Sequence, residues 1–483
     1  MILGVGVAGG CAASPPPGAR LPNIVLILAD DFGWGDAACY NPQSRVPTPH
    51  LDRLAREGMR FVNAYSPDAV CTPSRYSLMT GRYSWRTSLR RSVQLNWERP
   101  LIEEGRTTVP LLLKAAGYTT GGFGKWHLGA EFPTIDGLPP VGQGGQRHEL
   151  DGANLDLALP MRGGPMARGF DRWFGFICAS ESFVYDDLFA CAYIDVYKRP
   201  VAQGADRLRH LPLAEYLPEL TERSVDFIRK HAEPARKGTP FFLYFAPYVP
   251  HIPLAVGDAF KGKTRGGDYG DYVHQLDSEI GRILATLDHQ GLTDSTLIVF
   301  LSDNGSHFET SGEGHRPNGA LGGTKATIFE GGVRVPFIAR WPGRVAAGSV
   351  SRELVASTDL LATFAALTRQ TLAQNAGEDS FDLLPLLFGQ PDAKNGRKFV
   401  IVKAVQAQLA IREGRWKFVA PPEFPWTRND TSGFAKAGLF DLEGDVAEAS
   451  NVIVENPEVA ESLRNKLLAA VHATGTAARL QGR

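Results

Sequence analysis

Two acidic turns each follow a continuous apolar run, and their side chains offer oxygen atoms to a cation. Asp30 and Asp31 follow the first run, and Asp303 and Asn304 follow the second. Such runs are typical of strands that are buried on both faces of an α/β sheet. These sheets bind ligands outside the carboxyl ends of their strands. The pattern therefore predicts one site that takes oxygen ligands from both turns.

The chemistry of these four side chains favours a hard cation. Carboxylate oxygens and an amide carbonyl suit Ca²⁺, with Mg²⁺ as the second choice. The chain has no His and Cys spacing that would favour zinc. Taken separately, each pair also fits a helix cap or an ordinary turn. The metal site therefore depends on the two pairs meeting in the fold.

A cysteine opens the segment that carries the most chemical information. Residues 71–75 read Cys-Thr-Pro-Ser-Arg, and Thr-Gly-Arg follows at residues 80–82. A lone Cys is typical of a small buried apolar residue, and Pro-Ser-Arg is typical of a helix start. The whole string, however, resembles the signature of the type I sulfatases, which belong to the alkaline phosphatase superfamily. In that signature the cysteine is oxidised to Cα-formylglycine.

Further segments resemble the same family and occur in the same order along the chain. Residues 117–129 contain Gly-Tyr-Thr-Thr and then Gly-Lys-Trp-His-Leu-Gly, and they depart from the family pattern only at the bulky Phe123. His251 follows a proline as in the family, and Lys325 leads into Glu-Gly-Gly-Val-Arg-Val-Pro. The similar segments extend from residue 23 to about residue 341. The resemblance implies an alkaline-phosphatase-like fold and the hydrolysis of sulfate esters.

By this resemblance, the metal ligands would be Asp30, Asp31, Asp303, Asn304 and the formylglycine made from Cys71. A hydrated aldehyde at position 71 would present one hydroxyl as the nucleophile, and Asp303 would be its base. A covalent sulfo-enzyme intermediate would follow. Loss of a proton from the second hydroxyl would then expel sulfate, so water need not attack the sulfur.

The same resemblance implies residues that bind sulfate and move protons. His127, assisted by Arg75, would deprotonate the second hydroxyl. Lys125, His251 and Lys325 would hold the sulfate, and His251 or Lys325 would protonate the departing alcohol. The cationic side chains of Arg75 and the two lysines would stand where the transition state carries negative charge.

Two other functions use the same residues. A hydrolase of phosphate or phosphonate monoesters would need the same metal and nucleophile, and a non-catalytic sulfate-binding relative would result if Cys71 is not modified. The favoured substrate is a sulfated carbohydrate attacked at a chain end, because polar side chains suit sugar hydroxyls. Candidates for shaping such a pocket are Arg86, Arg90, Arg91, residues 180–182, Asp186, Asp187, His307, His315 and Arg316.

Composition excludes several classes of partner. Among 483 residues, 51 Lys and Arg nearly balance 52 Asp and Glu. The chain therefore lacks the cationic field that binds nucleic acid or anionic lipid. Its five cysteines are too few for a disulfide scaffold. No apolar run reaches the length of a transmembrane helix.

The order of the elements predicts an α/β fold. Apolar strand runs alternate with amphipathic helices, which indicates a large mixed central sheet sandwiched by helices. Residues 21–377 are predicted to form this catalytic domain. After about residue 378, short strand patterns and a final helix predict a smaller antiparallel sheet-and-helix domain.

The first residues resemble the end of an export signal. Residues 1–20 are apolar and small up to a Ser-Pro-Pro-Pro-Gly tether, and Cys11 resembles the lipidated residue of a bacterial lipoprotein. The basic segment that normally opens such a signal is missing. The resemblance of the remaining features to an export signal predicts an exported protein that is periplasmic or lipoprotein-anchored.

The resemblance to the sulfatases also implies a protein partner, which is a formylglycine-generating or sulfatase-maturating enzyme.

Overall fold

The computed structural model describes residues 20–145, 152–178, 183–194, 202, 204–390, 396–422 and 437–477. The first thirteen strands are β1 (Asn23–Ala29), β2 (Met59–Phe61), β3 (Ala64–Tyr65), β4 (Thr119–Gly124), β5 (Arg172–Gly175), β6 (Phe183–Asp186), β7 (Phe189–Tyr193), β8 (Arg209–His210), β9 (Phe241–Ala246), β10 (Thr296–Ser302), β11 (Phe337–Arg340), β12 (Ser349–Ser351) and β13 (Val355–Ala356). Among the described residues, eleven of them form one mixed sheet in the order β12-β2-β11-β10-β1-β9-β4-β5-β6-β7-β8, and β3 pairs with β13.

Strand β1 lies in the middle of this sheet and is parallel to both of its neighbours, β10 and β9. All seven of its side chains are buried. Val25 and Ile27 pack into one hydrophobic core, whereas Leu26 and Leu28 pack into the other. A strand with a core on each face needs apolar side chains on both faces, which is why residues 24–29 show no polar alternation.

Helices cover both faces of the large sheet. They are α1 (Pro49–Glu57), α2 (Cys71–Thr80), α3 (Val109–Ala115), α4 (Leu213–Arg236), α5 (Gly267–His289), α6 (Glu330–Val333), α7 (Asp359–Leu367) and α8 (Leu384–Leu387). Helices α1, α4 and α5 pack on one face, and α2, α3 and α7 pack on the other. The site-bearing helix α2 therefore lies inside one helical layer.

A second, smaller sheet follows in the chain. Its strands β14 (Phe399–Lys403), β15 (Leu409–Glu413), β16 (Trp416–Val419) and β17 (Gly438–Asp441) are antiparallel neighbours in chain order. Helix α9 (Pro457–His472) packs on β15 and β16. Leu409, Phe418 and Leu439 join Leu463 and Leu467 of α9 in a separate apolar core.

These observations confirm the predicted architecture of a large mixed sheet between helices with a smaller antiparallel sheet and helix. The domain limits 21–377 and 378–483 stay predictions. Residues 1–19, including Cys11, lie outside the described residues. Within the described part of the chain, no helix is both long and apolar enough to cross a membrane.

One part of the sheet was not predicted. The stretch after Trp173 contains the strands β6 and β7, which lie near one edge of the sheet. Both strands are short, and a turn at Asp187 with φ of 52° joins them. The sequence signal was weak because such short strands lack a long apolar run.

Candidate active site

The carboxyl ends of β1 and β10 bring the two acidic turns together. Because Ala29 lies opposite Ser302 in parallel strands, the residues that follow share one edge of the sheet. The backbone N–H of Asp31 donates to Asp303 Oδ1 at 3.2 Å, and Asn304 Nδ2 donates to Asp31 Oδ1 at 2.7 Å. The side chains of both turns are buried. The two pairs therefore form one cluster, as their spacing predicts.

Helix α2 places Cys71 against this cluster. Cys71 is the first residue of the helix, and its Sγ lies 3.5 Å from Asp30 Oδ1. Every residue of α2 is buried. Ser74 fixes the start of the helix, because its hydroxyl oxygen lies 2.9 Å from the carbonyl oxygens of both Asp68 and Val70. The unpaired N–H groups of this first turn add partial positive charge around position 71.

The donor atoms fit a hard divalent cation. One ligand atom from each of Asp30, Asp31, Cys71 and His251 lies within 4.8 Å of the others. Asn304 Oδ1 is buried and has no hydrogen-bond donor among the described residues. Leaving such an acceptor unsatisfied costs about 1–3 kcal/mol, which a bound cation would recover. Carboxylate and amide oxygens in this number are the ligands of Ca²⁺ or Mg²⁺.

Three cationic side chains neutralise three carboxylates of the cluster. Lys125 Nζ donates to Asp30 Oδ2 at 2.7 Å, and Lys325 Nζ lies 2.6 Å from Asp31 Oδ1. Arg75 donates to Asp303 Oδ2 from Nε at 3.1 Å and from Nη2 at 2.9 Å. Buried charges are tolerated only when they are paired in this way. The predicted sulfate-binding lysines thus lie beside the predicted metal ligands.

The surrounding charges separate the proton affinities of two carboxyl groups. Burial opposes ionisation of Asp30, but Lys125 and His251 outweigh it and hold the pKa of Asp30 well below its usual range. For Asp303, burial and the negative charges of Asp30 and Cys71 raise the pKa well above its usual range. Asp303 is therefore the carboxyl group with the higher proton affinity, which suits a base.

His127 lies deep in the site with a defined tautomer. Its Nε2 is 2.9 Å from the carbonyl oxygen of Gln94, so Nε2 carries the hydrogen. Its Nδ1 is buried and has no partner among the described residues. Burial and the charge of Lys125 hold the pKa of His127 well below its usual range. Nδ1 of a neutral imidazole is thus free to accept a proton.

His251 differs from His127 in exposure and in charge. Its side chain is 17% exposed, and its Nε2 lies 3.7 Å from Asp31 Oδ2. Burial and Lys325 disfavour the protonated ring, but Asp31 and Asp30 outweigh them and raise the pKa of His251. The more exposed histidine is therefore the one that holds a proton, as a general acid requires.

Several predicted pocket residues bind other parts of the protein instead. Arg86 donates to Asp379 at 2.8 Å, Asp186 lies 2.9 Å from Arg223, and His315 lies 2.7 Å from a buried Asp36. These contacts give structural roles to residues that were expected to face a substrate. Arg90 and Arg91 are exposed. Residues 180–182 lie outside the described residues.

The site also depends on residues that sequence reasoning did not find. Glu330 is the first residue of helix α6 and lies five residues after Lys325 in the chain. Its carboxylate accepts a hydrogen bond from Lys417 Nζ at 3.0 Å. Lys417 also lies 2.9 Å from Glu448, which accepts from the backbone N–H of Glu330 at 2.5 Å. The smaller sheet thereby holds the segment that carries Lys325. Contacts between residues so far apart in the chain leave no local sequence pattern.

The buried ion pairs of Glu330 make the free energy of unfolding depend on pH. Burial opposes ionisation of Glu330, but Lys417, Arg412 and Arg334 outweigh it and lower the pKa to about 2. The stabilisation is therefore complete above about pH 4.5 and is lost as the pH falls towards 2, by about 3 kcal/mol. We expect Glu330→Gln to be less stable than the unchanged protein at pH 7. We also expect this variant to lose less of its free energy of unfolding than the unchanged protein between pH 7 and pH 3. Denaturant unfolding at pH 7 and pH 3 measures this.

The exposed Glu353 supplies the control for that measurement. Glu353→Gln should retain the acid dependence of the unchanged protein. If Glu330→Gln loses as much stability between pH 7 and pH 3 as the unchanged protein does, then the ion pairs of Glu330 are not the source of the acid sensitivity.

Comparison with known proteins decides the family. The sulfatase family model matches residues 22–370. The chain belongs to the sulfatase family. The match confirms the predicted family, and the large mixed sheet agrees with its alkaline-phosphatase-like fold. Members of this family are sulfuric ester hydrolases, so the predicted enzyme class is confirmed as well.

Individual relatives of this sulfatase match it over nearly their whole length. It is 32% identical to the N-acetylgalactosamine-6-O-sulfatase of Bacteroides thetaiotaomicron, over 93% of each chain. It is 34% identical to human arylsulfatase A, over 92% of this chain and 87% of the relative. A solved structure from work on glycosaminoglycan metabolism by Bacteroides thetaiotaomicron superposes with a TM-score of 0.78 at 29% identity, over 94% of this chain and 99% of the other.

Proposed function

We propose that this sulfatase hydrolyses sulfate monoesters on sulfated carbohydrates, with Ca²⁺ and a Cα-formylglycine made from Cys71. The observation that carries the proposal is the buried cluster around Cys71, where Asp30, Asp31 and Asn304 face two lysines. The carboxylate and amide oxygens suit the cation, and the two ammonium groups suit a tetrahedral dianion or monoanion. Few other chemistries need both kinds of group at one point.

The metal would be held by Asp30, Asp31, Asp303, Asn304 and residue 71. Together, the cation and the formylglycine supply a positive charge and a hydroxyl nucleophile. The protein itself supplies the remaining charge. Lys125 and Lys325 lie within 2.7 Å of the ligand carboxylates, so their ammonium groups are placed to bind the oxygens of a sulfate.

Two histidines divide the proton transfers. We assign to His127 the role of a base, because its Nδ1 is unprotonated and without a partner among the described residues. Arg75 assists by contributing positive charge nearby. We assign to His251 the role of the acid that protonates the departing alcohol, since it is the more exposed and binds a proton more readily. Lys325 is the alternative donor.

The sulfated carbohydrate is the substrate class that the relatives favour. The Bacteroides relative is named for N-acetylgalactosamine 6-sulfate, and it aligns with 93% of this chain. A sugar sulfate at a chain end is therefore the first substrate to test. Human arylsulfatase A, at 34% identity, makes an aryl sulfate the useful comparison.

Conversion of Cys71 needs a maturating enzyme that acts on the extended chain. Cys71 is only 3% exposed, and no residue of α2 reaches the surface. An enzyme that oxidises the cysteine must bind the surrounding residues, so it needs this segment before helix α2 packs. This requirement supports a formylglycine-generating or sulfatase-maturating enzyme as the partner.

The direct test is to identify the anion released. The protein, co-expressed with a maturating enzyme and supplied with Ca²⁺, is offered N-acetylgalactosamine 6-sulfate, an aryl sulfate and the matching phosphate monoesters. Ion chromatography should detect sulfate, with a higher kcat/KM for the sugar sulfate than for the aryl sulfate. Release of phosphate alone would instead assign a phosphate or phosphonate monoester hydrolase. Release of neither anion from protein shown by mass spectrometry to carry formylglycine would contradict the proposal.

A further inference from the structure

An arginine-lined cavity lies near the beginning of strand β10, at the opposite end of this strand from the candidate active site. Its volume is about 650 Å³, and its charged lining residues are Arg53, Arg56, Glu57, Asp294, Arg340 and Arg344. Four guanidinium groups thus meet two carboxylates. The end of helix α1, the end of strand β11 and the segment after it supply these arginines. An excess of arginine in a concave site is typical of oxyanion recognition.

The carboxylates of the cavity do not satisfy all of its arginines. Glu57 accepts from Arg53 at 2.8 Å and from Arg340 at 3.0 Å. Arg56 and Arg344 are exposed and form no ion pair with any described residue. The net charge left at the cavity is therefore positive.

Arg340 supplies a second and independent observation. Only 5% of this residue is exposed, yet its Nε–H is buried without an acceptor among the described residues. A buried charged donor without an acceptor is costly, so such groups usually have a partner. Because Arg340 also lines the cavity, an oxyanion bound there would lie beside this guanidinium group. The cavity thus combines a buried donor with two exposed arginines that are not ion-paired.

The position of the cavity separates it from the catalytic residues. Arg340 pairs with Ile298 near the beginning of β10, whereas Asp303 follows the end of that strand. Five residues of extended strand span about 17 Å. One sulfated sugar cannot reach both places, whereas a longer chain or a second molecule can.

We propose that this cavity binds sulfate groups of a distant part of a sulfated polysaccharide while another part occupies the active site. The proposal rests on the proposed function, because it takes the substrate to be a sulfated carbohydrate. Guanidinium groups bind sulfate oxygens through paired, charge-assisted hydrogen bonds. The cavity would hold long substrates near the enzyme and would not affect a single sugar, because binding at two linked points raises the effective concentration of the chain.

The first experiment compares a long and a short substrate. The double variant Arg56→Ala/Arg344→Ala removes two exposed side chains, and Arg229→Ala removes an exposed arginine of α4 as the matched control. We expect the double variant to lower kcat/KM for a chondroitin 6-sulfate dodecasaccharide about tenfold, equivalent to about 1.4 kcal/mol. Its kcat/KM for N-acetylgalactosamine 6-sulfate and its Tm should not change. Equal losses on both substrates, or no loss on the dodecasaccharide, would overturn the proposal.

A binding experiment separates this inference from the proposed function. A fluorescent chondroitin 6-sulfate dodecasaccharide is titrated into the Cys71→Ala protein, with and without the two arginine substitutions, at low and moderate salt. The substitutions should weaken binding about tenfold and reduce its salt dependence. Unchanged affinity would overturn the proposal even if the enzyme releases sulfate. Competition by inorganic sulfate or by single-stranded DNA as strong as that by the unlabelled dodecasaccharide would assign the cavity to a free anion or to nucleic acid and would also overturn it.

Discussion

Cys71→Ala is expected to lose at least about 10⁴-fold in kcat for sulfate release, because removal of a nucleophile leaves only binding and charge stabilisation. The fold should remain, since the substitution removes one sulfur atom from the beginning of α2 and none of the contacts made by Ser74. Sulfate release measured by ion chromatography tests the activity. Circular dichroism and the Tm test the fold.

Cys191 provides a matched control for that variant. Its thiol is half-buried on strand β7 and contacts the carbonyl oxygen of Val184, away from the cluster. Cys191→Ala should retain full activity. Mass spectrometry of the peptide that contains position 71 should show a residue lighter than cysteine in active protein only. Activity retained by Cys71→Ala would rule out residue 71 as the nucleophile.

Asp303→Asn is expected to lower kcat about 10³-fold, since it removes both a proposed metal ligand and the proposed base. Arg75, whose Nη2 lies 2.9 Å from Asp303 Oδ2, would lose its nearest carboxylate. The exposed Asp226 supplies the control, and Asp226→Asn should be fully active. Rates measured over a range of Ca²⁺ concentrations show whether added metal restores activity.

A second readout of this variant does not depend on turnover. Ca²⁺ at about 100 times its Kd should stabilise the unchanged protein by about 2.7 kcal/mol. Asp303→Asn should show a much smaller increase in Tm at the same concentration, whereas Asp226→Asn should behave as the unchanged protein does. An equal Ca²⁺-dependent increase in Asp303→Asn would remove Asp303 from the ligand set. Full activity after thorough chelation would contradict the metal site itself.

Patterns in the sequence were sufficient to predict the centre of the fold and the composition of the cluster. Strand β1 is buried on both faces, so its six residues from Ile24 to Ala29 are all apolar, and its end is marked by Asp30. Strand β10 is likewise apolar from Leu297 to Leu301, and Asp303 follows its end. A position with such a strong physical requirement leaves a clear pattern. The resemblance to a known family then related these positions to Cys71 and the lysines.

Other features could not be predicted, because they arise from contacts between distant parts of the chain. The tautomer of His127 depends on a carbonyl oxygen 33 residues away, and its backbone has a φ of 58°, which non-glycine residues seldom adopt. The contact of Lys417 with Glu330 spans 87 residues. No spacing or periodicity records such pairings, so only the three-dimensional structure reveals them.

The complete burial of helix α2 has a consequence for the amount of active enzyme in a cell. In the proposed function, oxidation of Cys71 and closure of the fold around it compete in time, because the folded chain no longer offers this segment to another protein. A molecule that folds first would keep its thiol. The fraction of molecules that carry the proposed nucleophile would therefore be set during synthesis by two rates, and metal added later would not convert the remaining molecules.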